Sequence, residues 1–225
     1  MKAIVLLSGG IDSTCCLYTM KELTSDIEAV TFSYGQRHSQ ELKQARRIAE
    51  YAKVHHNFVY LTMPHMNTSL AANSPLEVPK NQMTETEGIP STYVPGRNTI
   101  FLAIAASLAE SLSFDLIVIG ANAVDYSGYP DCRPEYIDAM NYLMTLSSKK
   151  GISGKPIQVY APIINFPKSE IIKKASDLNA PLHLTHSCYD PQDDKACGVC
   201  DSCRIRRKGF HEANIVDPTQ YYKEN

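Results

Sequence analysis

The sequence predicts an α/β fold built around a doubly wound, mostly parallel sheet. Short apolar runs, such as residues 3–7, alternate with longer segments of helical periodicity. Strands that are apolar on both faces are typical of parallel sheets, because helices cover both sides. The length of 225 residues is enough for one such domain with a filled core and an appendage. We expect the α/β domain at residues 1–180 and the appendage at residues 181–225.

Strands and helices are expected to alternate along the chain. The first helix is expected at residues 13–23, with Asp12 and Ser13 as its caps. Further strands are expected at residues 28–33, 57–62, 115–120 and 158–162, and further helices at residues 40–54, 97–112, 136–146 and 167–178. Strands and helices that alternate in this way form right-handed crossovers in a parallel sheet. We interpret the long, polar, proline-containing residues 63–91 as a mobile lid, with a binding loop or a disordered segment as alternatives.

The segment between the first strand and the first helix has the composition of a phosphate-binding loop. It consists of Ser8-Gly9-Gly10-Ile11-Asp12-Ser13. Glycine adopts positive φ readily and lets a ligand approach the backbone, and the free N–H groups at a helix start attract an anion. The segment lacks the lysine of a Walker loop and the glycine spacing of a dinucleotide fingerprint. The alternative is an ordinary turn, where glycine and serine are common.

Two later segments contribute candidate substrate-binding residues. Arg97 stands at the start of a helix, where a cation is unfavourable for the helix itself, so it indicates an anionic ligand. Residues 120–135 follow a strand and are rich in polar groups. There Asp125 and Asp131 can accept hydrogen bonds from a guanine-like ring, and Arg133 can bind a carboxylate in its fork geometry. The alternative is a surface turn built from Asp, Gly and Pro.

Four of the seven cysteines lie close together near the C-terminus. Their spacing, C-x8-C-x2-C-x2-C, lets four thiolates converge on one ion and predicts a closed structural zinc site formed by Cys188, Cys197, Cys200 and Cys203. An iron–sulfur cluster is the alternative. The basic run at residues 204–208 is expected to be a solvated helix face. Lys168 is likewise expected to point into solvent, with contact to a phosphate as the alternative.

The composition argues against several classes of partner. The formal net charge is −2 and the pI is about 6.4, so the chain has no positive surplus for nucleic acid. No apolar run approaches the ~20 residues of a membrane span. The N-terminal residues lack a signal-peptide pattern, and an odd number of cysteines argues against a disulfide framework. We therefore expect a cytoplasmic protein that binds neither nucleic acid nor membranes.

Five segments with chemical character occur in one order along the chain. They are the loop at residues 8–13, Phe32-Ser33-Tyr34-Gly35-Gln36-Arg37-His38, Val94-Pro95-Gly96-Arg97-Asn98, Ser127-Gly128-Tyr129-Pro130-Asp131-Cys132-Arg133 and the four cysteines. Together they resemble the 7-cyano-7-deazaguanine synthase family of queuosine biosynthesis, within the ATP pyrophosphatase (PP-loop) superfamily. The resemblance extends from Lys2 to about Phe210. It implies an adenine-nucleotide-hydrolase-like core with a C-terminal zinc-binding appendage.

The resemblance also implies a ligand for each candidate residue. The ATP site would comprise Leu7, Ser8, Gly9, Gly10, Ile11, Asp12, Ser13, Thr14, Cys15, Cys16 and Leu17. The catalytic and substrate-binding candidates are Arg97, Asp125, Asp131 and Arg133. The implied cofactors are zinc and Mg²⁺, the implied substrates are ATP, ammonia and 7-carboxy-7-deazaguanine, and the implied assembly is a homodimer.

The implied reaction turns a carboxylate into a nitrile and needs two activations. Attachment of AMP makes the carboxylate oxygen a leaving group, with pyrophosphate held at the loop, and ammonia then gives an amide. Removal of the amide oxygen requires a second adenylation. Main-chain N–H groups and Mg²⁺ would offset the charge on the leaving pyrophosphate.

The residues alone leave two other functions open. One is a different enzyme on this fold, such as an amide-forming synthetase or a tRNA thiolase. A thiolase needs a reactive cysteine in the nucleotide domain, for which Cys132 is the candidate. The other is a non-enzymatic zinc module that binds RNA through residues 204–208, although that run has no interleaved aromatic residues. Salt-dependent tRNA binding would favour either alternative.

Overall fold

A five-stranded parallel sheet forms the centre of the protein. The computed structural model describes residues 1–37, 39–63, 68–72, 74–80, 89–124 and 128–222. The strands are β1 (Ala3–Leu6), β2 (Ile27–Ser33), β3 (His55–Tyr60), β4 (Leu116–Val118) and β5 (Gln158–Tyr160), in the order β3-β2-β1-β4-β5. Every strand pairing is parallel.

Helices follow the strands as the sequence predicts. They are α1 (Ile11–Lys21), α2 (Gln40–Ala52), α3 (Arg97–Ser111), α4 (Pro134–Ser147), α5 (Lys149–Ile152), α6 (Lys168–Asp177) and α7 (Asp201–Ala213). Short 3₁₀ turns occupy Pro130–Cys132 and Leu182–Leu184. No helix in these described ranges is long and apolar enough to cross a membrane.

Two apolar cores cover the two faces of the sheet. Ala3 and Val5 of β1 pack in the core with α1, α2, α6 and α7, whereas Ile4 and Leu6 pack in the core with α3 and α4. Successive side chains of a strand point to opposite faces, so this division places helices on both sides. The predicted doubly wound sheet is confirmed. Phe210 of α7 lies in the same core as β1, and a domain boundary near residue 180 stays a prediction.

The start of α1 differs from the sequence prediction. The helix begins at Ile11 after an extended Gly10, and the Thr14 N–H donates to the Gly10 carbonyl at 3.1 Å. Asp12 and Ser13 therefore lie inside the first turn and do not cap the helix. The prediction was wrong because polar residues after glycine suggest a cap, whereas here a backbone turn ends the strand and starts the helix directly.

The described part of residues 63–91 packs against the C-terminal segment. Lys80 forms an antiparallel bridge with Cys200, and its Nζ lies 2.8 Å from Asp190 Oδ2. Val78 is buried among the four clustered cysteines. On the other side, the Ala72 N–H donates to the Gly35 carbonyl at 3.0 Å. These residues thus connect the end of β2 to the cysteine-bearing segment, and a mobile lid at residues 63–91 stays a prediction.

Gly9 offers a test of the packing that holds the loop. We predict that Gly9→Ala lowers the free energy of unfolding more than Gly154→Ala. The two glycines have similar positive φ values of 91° and 78°, and alanine in this backbone region costs about 1 kcal/mol in both. A Cβ on Gly9 would also meet the Glu41 carbonyl and lie 2.9 Å from Ala45 N, whereas at Gly154 it would meet nothing within 4 Å. The clash adds roughly 1–3 kcal/mol.

Urea denaturation of both variants measures the difference. Equal losses of stability in Gly9→Ala and Gly154→Ala would contradict the close approach of the loop to α2.

Candidate active site

A cleft of about 220 Å³ opens beyond the carboxyl ends of β1, β2 and β4. The strand order reverses direction between β1 and β4, and ligands of open α/β sheets bind at such a switch point. The cleft is bounded by the loop at residues 8–13, by residues 119–122 after β4 and by Arg97 at the start of α3. The topology therefore brings together segments that are far apart in the sequence.

Backbone contacts hold the loop at residues 8–13 in place. Gly9 packs against the backbone of α2, and its carbonyl accepts the His186 N–H at 2.9 Å. Gly120 also packs closely on α1, because a Cβ there would lie 3.0 Å from Ser13 N. The first-turn N–H groups of a helix have no partners within the helix. The loop thus presents backbone donors and the positive end of the α1 dipole to the cleft, which suits an anion.

Two serine hydroxyls stabilise the turn of the loop. Ser8 Oγ lies 3.0 Å from Ser13 Oγ, and Ser13 Oγ donates to the Gly10 carbonyl at 3.1 Å. The Ser8 N–H donates to Ser13 Oγ at 3.1 Å. Both hydroxyls line the cleft. They therefore serve the shape of the loop and remain within reach of a bound anion.

A partly buried ion pair lies at the base of the loop. Lys168 Nζ is 2.6 Å from Asp12 Oδ1, and the Lys168 side chain is only 8% exposed. The expectation that Lys168 is solvated was wrong, because its stem packs beside Gly209 of α7. Both charged groups line the cleft. The pair supplies an ammonium for phosphate and a carboxylate of the kind that Mg²⁺ prefers.

Aromatic rings and polar groups form the wall opposite the loop. The rings of Phe32 and Phe101 stack with their centroids 4.1 Å apart, and Tyr34 meets Phe101 edge-on at 5.4 Å. Burial raises the pKa of Tyr34 above its usual value of 10.0, although the nearby Arg97 opposes this shift. A ligand with a flat ring could stack on these aromatic side chains, while an anionic group of the same ligand lies near Arg97.

The four C-terminal cysteines converge as their spacing predicts. The sulfur atoms of Cys188, Cys197, Cys200 and Cys203 lie within 4.8 Å of one another, and all four residues are buried. Backbone N–H groups point at the sulfurs, with Cys197 N 3.2 Å from Cys188 Sγ and Cys200 N 3.4 Å from Cys197 Sγ. These donors stabilise thiolates. The donor set fits a metal ion with four sulfur ligands.

The cysteine cluster adjoins the cleft. His186, Ser187 and Tyr189 flank Cys188 in the sequence and line the cleft. Any ion that fixes Cys188 therefore also restrains one wall of the cleft.

Comparison with known proteins identifies the family. A family model described as queuosine biosynthesis protein QueC matches residues 2–214. The chain belongs to the QueC family. A protein named 7-cyano-7-deazaguanine synthase from Citrifermentans bemidjiense is 50% identical over 224 residues, which cover 99% of this chain and 98% of that protein. A protein of the same name from Leptospira interrogans is 47% identical over 216 residues, which cover 96% of this chain and 89% of that protein.

A solved structure gives a more distant match. The U34-tRNA thiolase NcsA from Methanococcus maripaludis, with its [4Fe-4S] cluster, aligns over 95% of this chain and 70% of that one, with 15% identity and a TM-score of 0.48. At this level of similarity the match carries no argument about substrate or metal.

The predicted nucleotide residues of this QueC family member occupy two environments. Those that line the cleft are Leu7, Ser8, Gly10, Ile11, Asp12 and Ser13. Gly9 is buried against α2, and the residues further along α1 are buried in the core: Thr14, Cys15, Cys16 and Leu17. Burial raises the pKa of the Cys15 thiol to about 11, so it stays neutral and packs as an apolar group. Nucleotide binding by the whole set stays a prediction.

Among the described substrate-binding candidates, one lines the cleft. Arg97 lines the cleft. Asp131 is buried, and its Oδ2 accepts the Asn98 N–H at 3.1 Å, which supports the first turn of α3. Arg133 is exposed, and neither it nor Asp131 lines the cleft. Asp125 lies outside the described residues. Their roles in recognising substrate stay predictions.

Sequence reasoning did not single out Glu41 and Asn122, which line the cleft. Tyr129, from the segment at residues 120–135 that the sequence marked as a candidate, lines the cleft as well. Asn122 Nδ2 donates to the Ile163 carbonyl at 3.2 Å, and Tyr129 Oη lies 2.6 Å from Thr92 Oγ1. The available signal was position, because these residues follow the carboxyl ends of β2 and β4 in the chain.

Two arginines of the basic run differ from the expected solvated face, because Arg206 is buried and Arg207 is half-buried. Arg206 is 2% exposed, with Nε 3.0 Å from Asp217 Oδ1 and Nη1 2.9 Å from Thr185 Oγ1. The Arg207 guanidinium lies 3.8 Å from the centre of the Tyr221 ring. Arg206 donates hydrogen bonds to the oxygen atoms around the 3₁₀ turn at Leu182–Leu184. The helical pattern of the sequence alone does not reveal this contact.

Proposed function

We propose that this chain converts 7-carboxy-7-deazaguanine, ammonia and ATP to 7-cyano-7-deazaguanine in the cytoplasm. The observation that carries the proposal is that one cleft holds an anion-binding loop and a separate aromatic wall with a cation. The loop side includes the Asp12–Lys168 pair, and the facing wall includes Phe101 and Arg97. The names of the QueC relatives support this choice of substrate.

The loop would hold the pyrophosphate that leaves ATP. A substrate carboxylate oxygen attacks the α-phosphorus, and the bond to the β-phosphate oxygen breaks. Backbone N–H groups of α1 and the Lys168 ammonium stabilise the charge on the leaving group. Ammonia then adds to the acyl carbon, loses a proton and expels AMP, which gives the amide. The amide oxygen attacks the α-phosphorus of a second ATP and expels pyrophosphate, and loss of AMP and of both protons from nitrogen then gives the nitrile.

Mg²⁺ would bind at the Asp12 carboxylate, a hard oxygen ligand at the edge of the loop. The ion would supply charge that offsets the phosphates of ATP. Lys168 orients this carboxylate through their 2.6 Å contact.

Arg97 would bind the substrate carboxylate in the cleft. Asp131 would act as a positioning residue, because it accepts the Asn98 N–H in the turn that carries Arg97. Asp125 and Arg133 stay candidates for contacts from the loop after β4.

The four cysteines would hold one zinc ion. Four thiolates leave no open coordination position, so the ion would be structural. Its effect on the reaction would be indirect, through the cleft residues that flank Cys188.

We also propose a homodimer. Several apolar side chains on α4 and α5 are exposed, including Tyr142 at 68%, Leu146 at 61% and Ile152 at 81%. Exposed apolar residues on two helices that contact each other favour association with another protein surface.

The alternative functions gain less support from the site. Burial raises the pKa of Cys132 to about 11, and Asn98 Nδ2 lies 3.4 Å from its sulfur. A neutral thiol is a poor nucleophile, which disfavours a thiolase that uses Cys132. Arg206 and Arg207 contact groups within the chain, which weakens the RNA-binding zinc module.

The reaction predicts a stoichiometry. Mass spectrometry of products from the acid, ammonium and ATP should show the nitrile with two AMP and two pyrophosphate per molecule. The synthetic amide should be converted with one ATP and no ammonia, because it enters after the first activation. ADP and phosphate as products, or an amide that is not converted, would contradict two adenylations.

The zinc site predicts a coupling between metal and stability. Wild-type protein should contain one zinc per chain by elemental analysis, and Cys200→Ser should release it and lower the melting temperature, because structural zinc binding is coupled to folding. Cys132→Ser lies outside the cluster and should retain the ion. Wild-type protein with iron and sulfide, or Cys200→Ser with full metal content, would contradict the zinc assignment.

A further inference from the structure

Glu41 lines the cleft, and its carboxylate has no hydrogen-bond partner among the described residues. Glu41 lies in the first turn of α2 and lines the cleft. Among the described residues, none forms a hydrogen bond or an ion pair with this carboxylate. Burial raises its pKa to about 7, and attraction to Arg97 only partly opposes the shift. A desolvated carboxylate without donors is costly, and such groups in clefts mark functional sites.

Other charged and titratable groups around the cleft have neighbours of their own. Lys168 of α6 pairs with Asp12 of α1 at 2.6 Å. Arg97 of α3 lies beside the Tyr34 hydroxyl after β2. Glu41 is therefore the described acidic group of this cleft that remains available for a ligand.

The surroundings of Glu41 suit a flat ring. The stacked rings of Phe32 and Phe101 and the edge-on ring of Tyr34 line the same cleft. Aromatic faces bind planar heterocycles by stacking. A carboxylate beside such a wall can bind the edge of a ring that lies on it.

We propose that Glu41 accepts hydrogen bonds from the ring N–H and the 2-amino group of the deazaguanine substrate. This inference rests on the proposed function and adds the residue that would recognise the ring. A guanine-type edge carries two adjacent donors, which match the two oxygens of a carboxylate. The edge of adenine carries one donor beside a ring nitrogen lone pair, which a carboxylate repels. Glu41 would thereby keep the adenine of ATP out of the substrate position.

The assignment sets the direction of a pH effect. Donors from the ring stabilise the charged carboxylate, so binding lowers the pKa of Glu41 from its value of about 7 in the free protein. Below that pH the free carboxyl is protonated and binding must displace a proton. The affinity for substrate should therefore fall as the pH drops below about 7.

Glu41→Gln tests the contact, with Glu50→Gln on the exposed face of α2 as the matched control. Calorimetric titration should compare 7-carboxy-7-deazaguanine with its analogue lacking the 2-amino group. Wild-type protein and Glu50→Gln should bind the amino compound roughly 10- to 100-fold more tightly. Glu41→Gln should lose this preference and the pH dependence. The KM for the acid should rise, with kcat and the KM for ATP unchanged.

Several results would overturn the assignment. Unchanged affinity and preference in Glu41→Gln would remove Glu41 from ring recognition, as would a fall in kcat with constant KM, which would indicate proton transfer. If Glu41→Gln fails to fold, the affinities of wild-type protein for the two compounds across the pH range still test the proposal. Equal affinities for the two compounds would contradict it. If wild-type protein and Glu41→Gln turn over the acid with the same KM, this inference alone is rejected. A wild-type protein that does not bind the acid rejects the proposed function as well.

Discussion

The close backbone packing around the loop at residues 8–13 is the constraint on which the site depends. Gly9 meets α2, Gly120 meets the start of α1, and the Gly9 carbonyl accepts the His186 N–H at 2.9 Å. No side chain separates these segments, so the ends of β1 and β4 and the first turns of α2 meet at one point. The groups that line the cleft follow from this geometry, including Lys168 and Glu41, because the elements that carry them cannot move away from the loop.

The same constraint connects the metal cluster to the cleft. His186 contacts the loop through its backbone, and Cys188 follows two residues later. The segment at residues 68–80 contacts both the end of β2 and Cys200. The cysteine-bearing segment therefore supports the loop at residues 8–13 through backbone contacts. A structural ion at the cysteines would stabilise a wall of the cleft without contacting the substrate.

Local patterns predicted most of the fold and the two strongest sites. The apolar run of β1 predicted the two cores on opposite faces of the sheet. Residue types at fixed spacing predicted the loop at residues 8–13 and the cysteine cluster. The burial of Lys168 and Arg206 was not predictable, because it depends on how α6 and α7 pack on distant elements. Glu41 was missed because a glutamate on the polar side of an amphipathic helix usually faces solvent, whereas here part of that side faces the cleft. The support that Asp131 gives to α3 likewise depends on a contact between residues distant in sequence.

The central claim is that the substrate oxygen attacks the α-phosphorus of ATP while the loop holds pyrophosphate. The most direct test uses 7-carboxy-7-deazaguanine with ¹⁸O in both carboxylate oxygens, followed by mass spectrometry of the nucleotide products. Each activation transfers one substrate oxygen to AMP, so both AMP molecules formed per nitrile should carry one ¹⁸O, and pyrophosphate should carry none. Unlabelled AMP, or label in pyrophosphate or phosphate, would contradict the account.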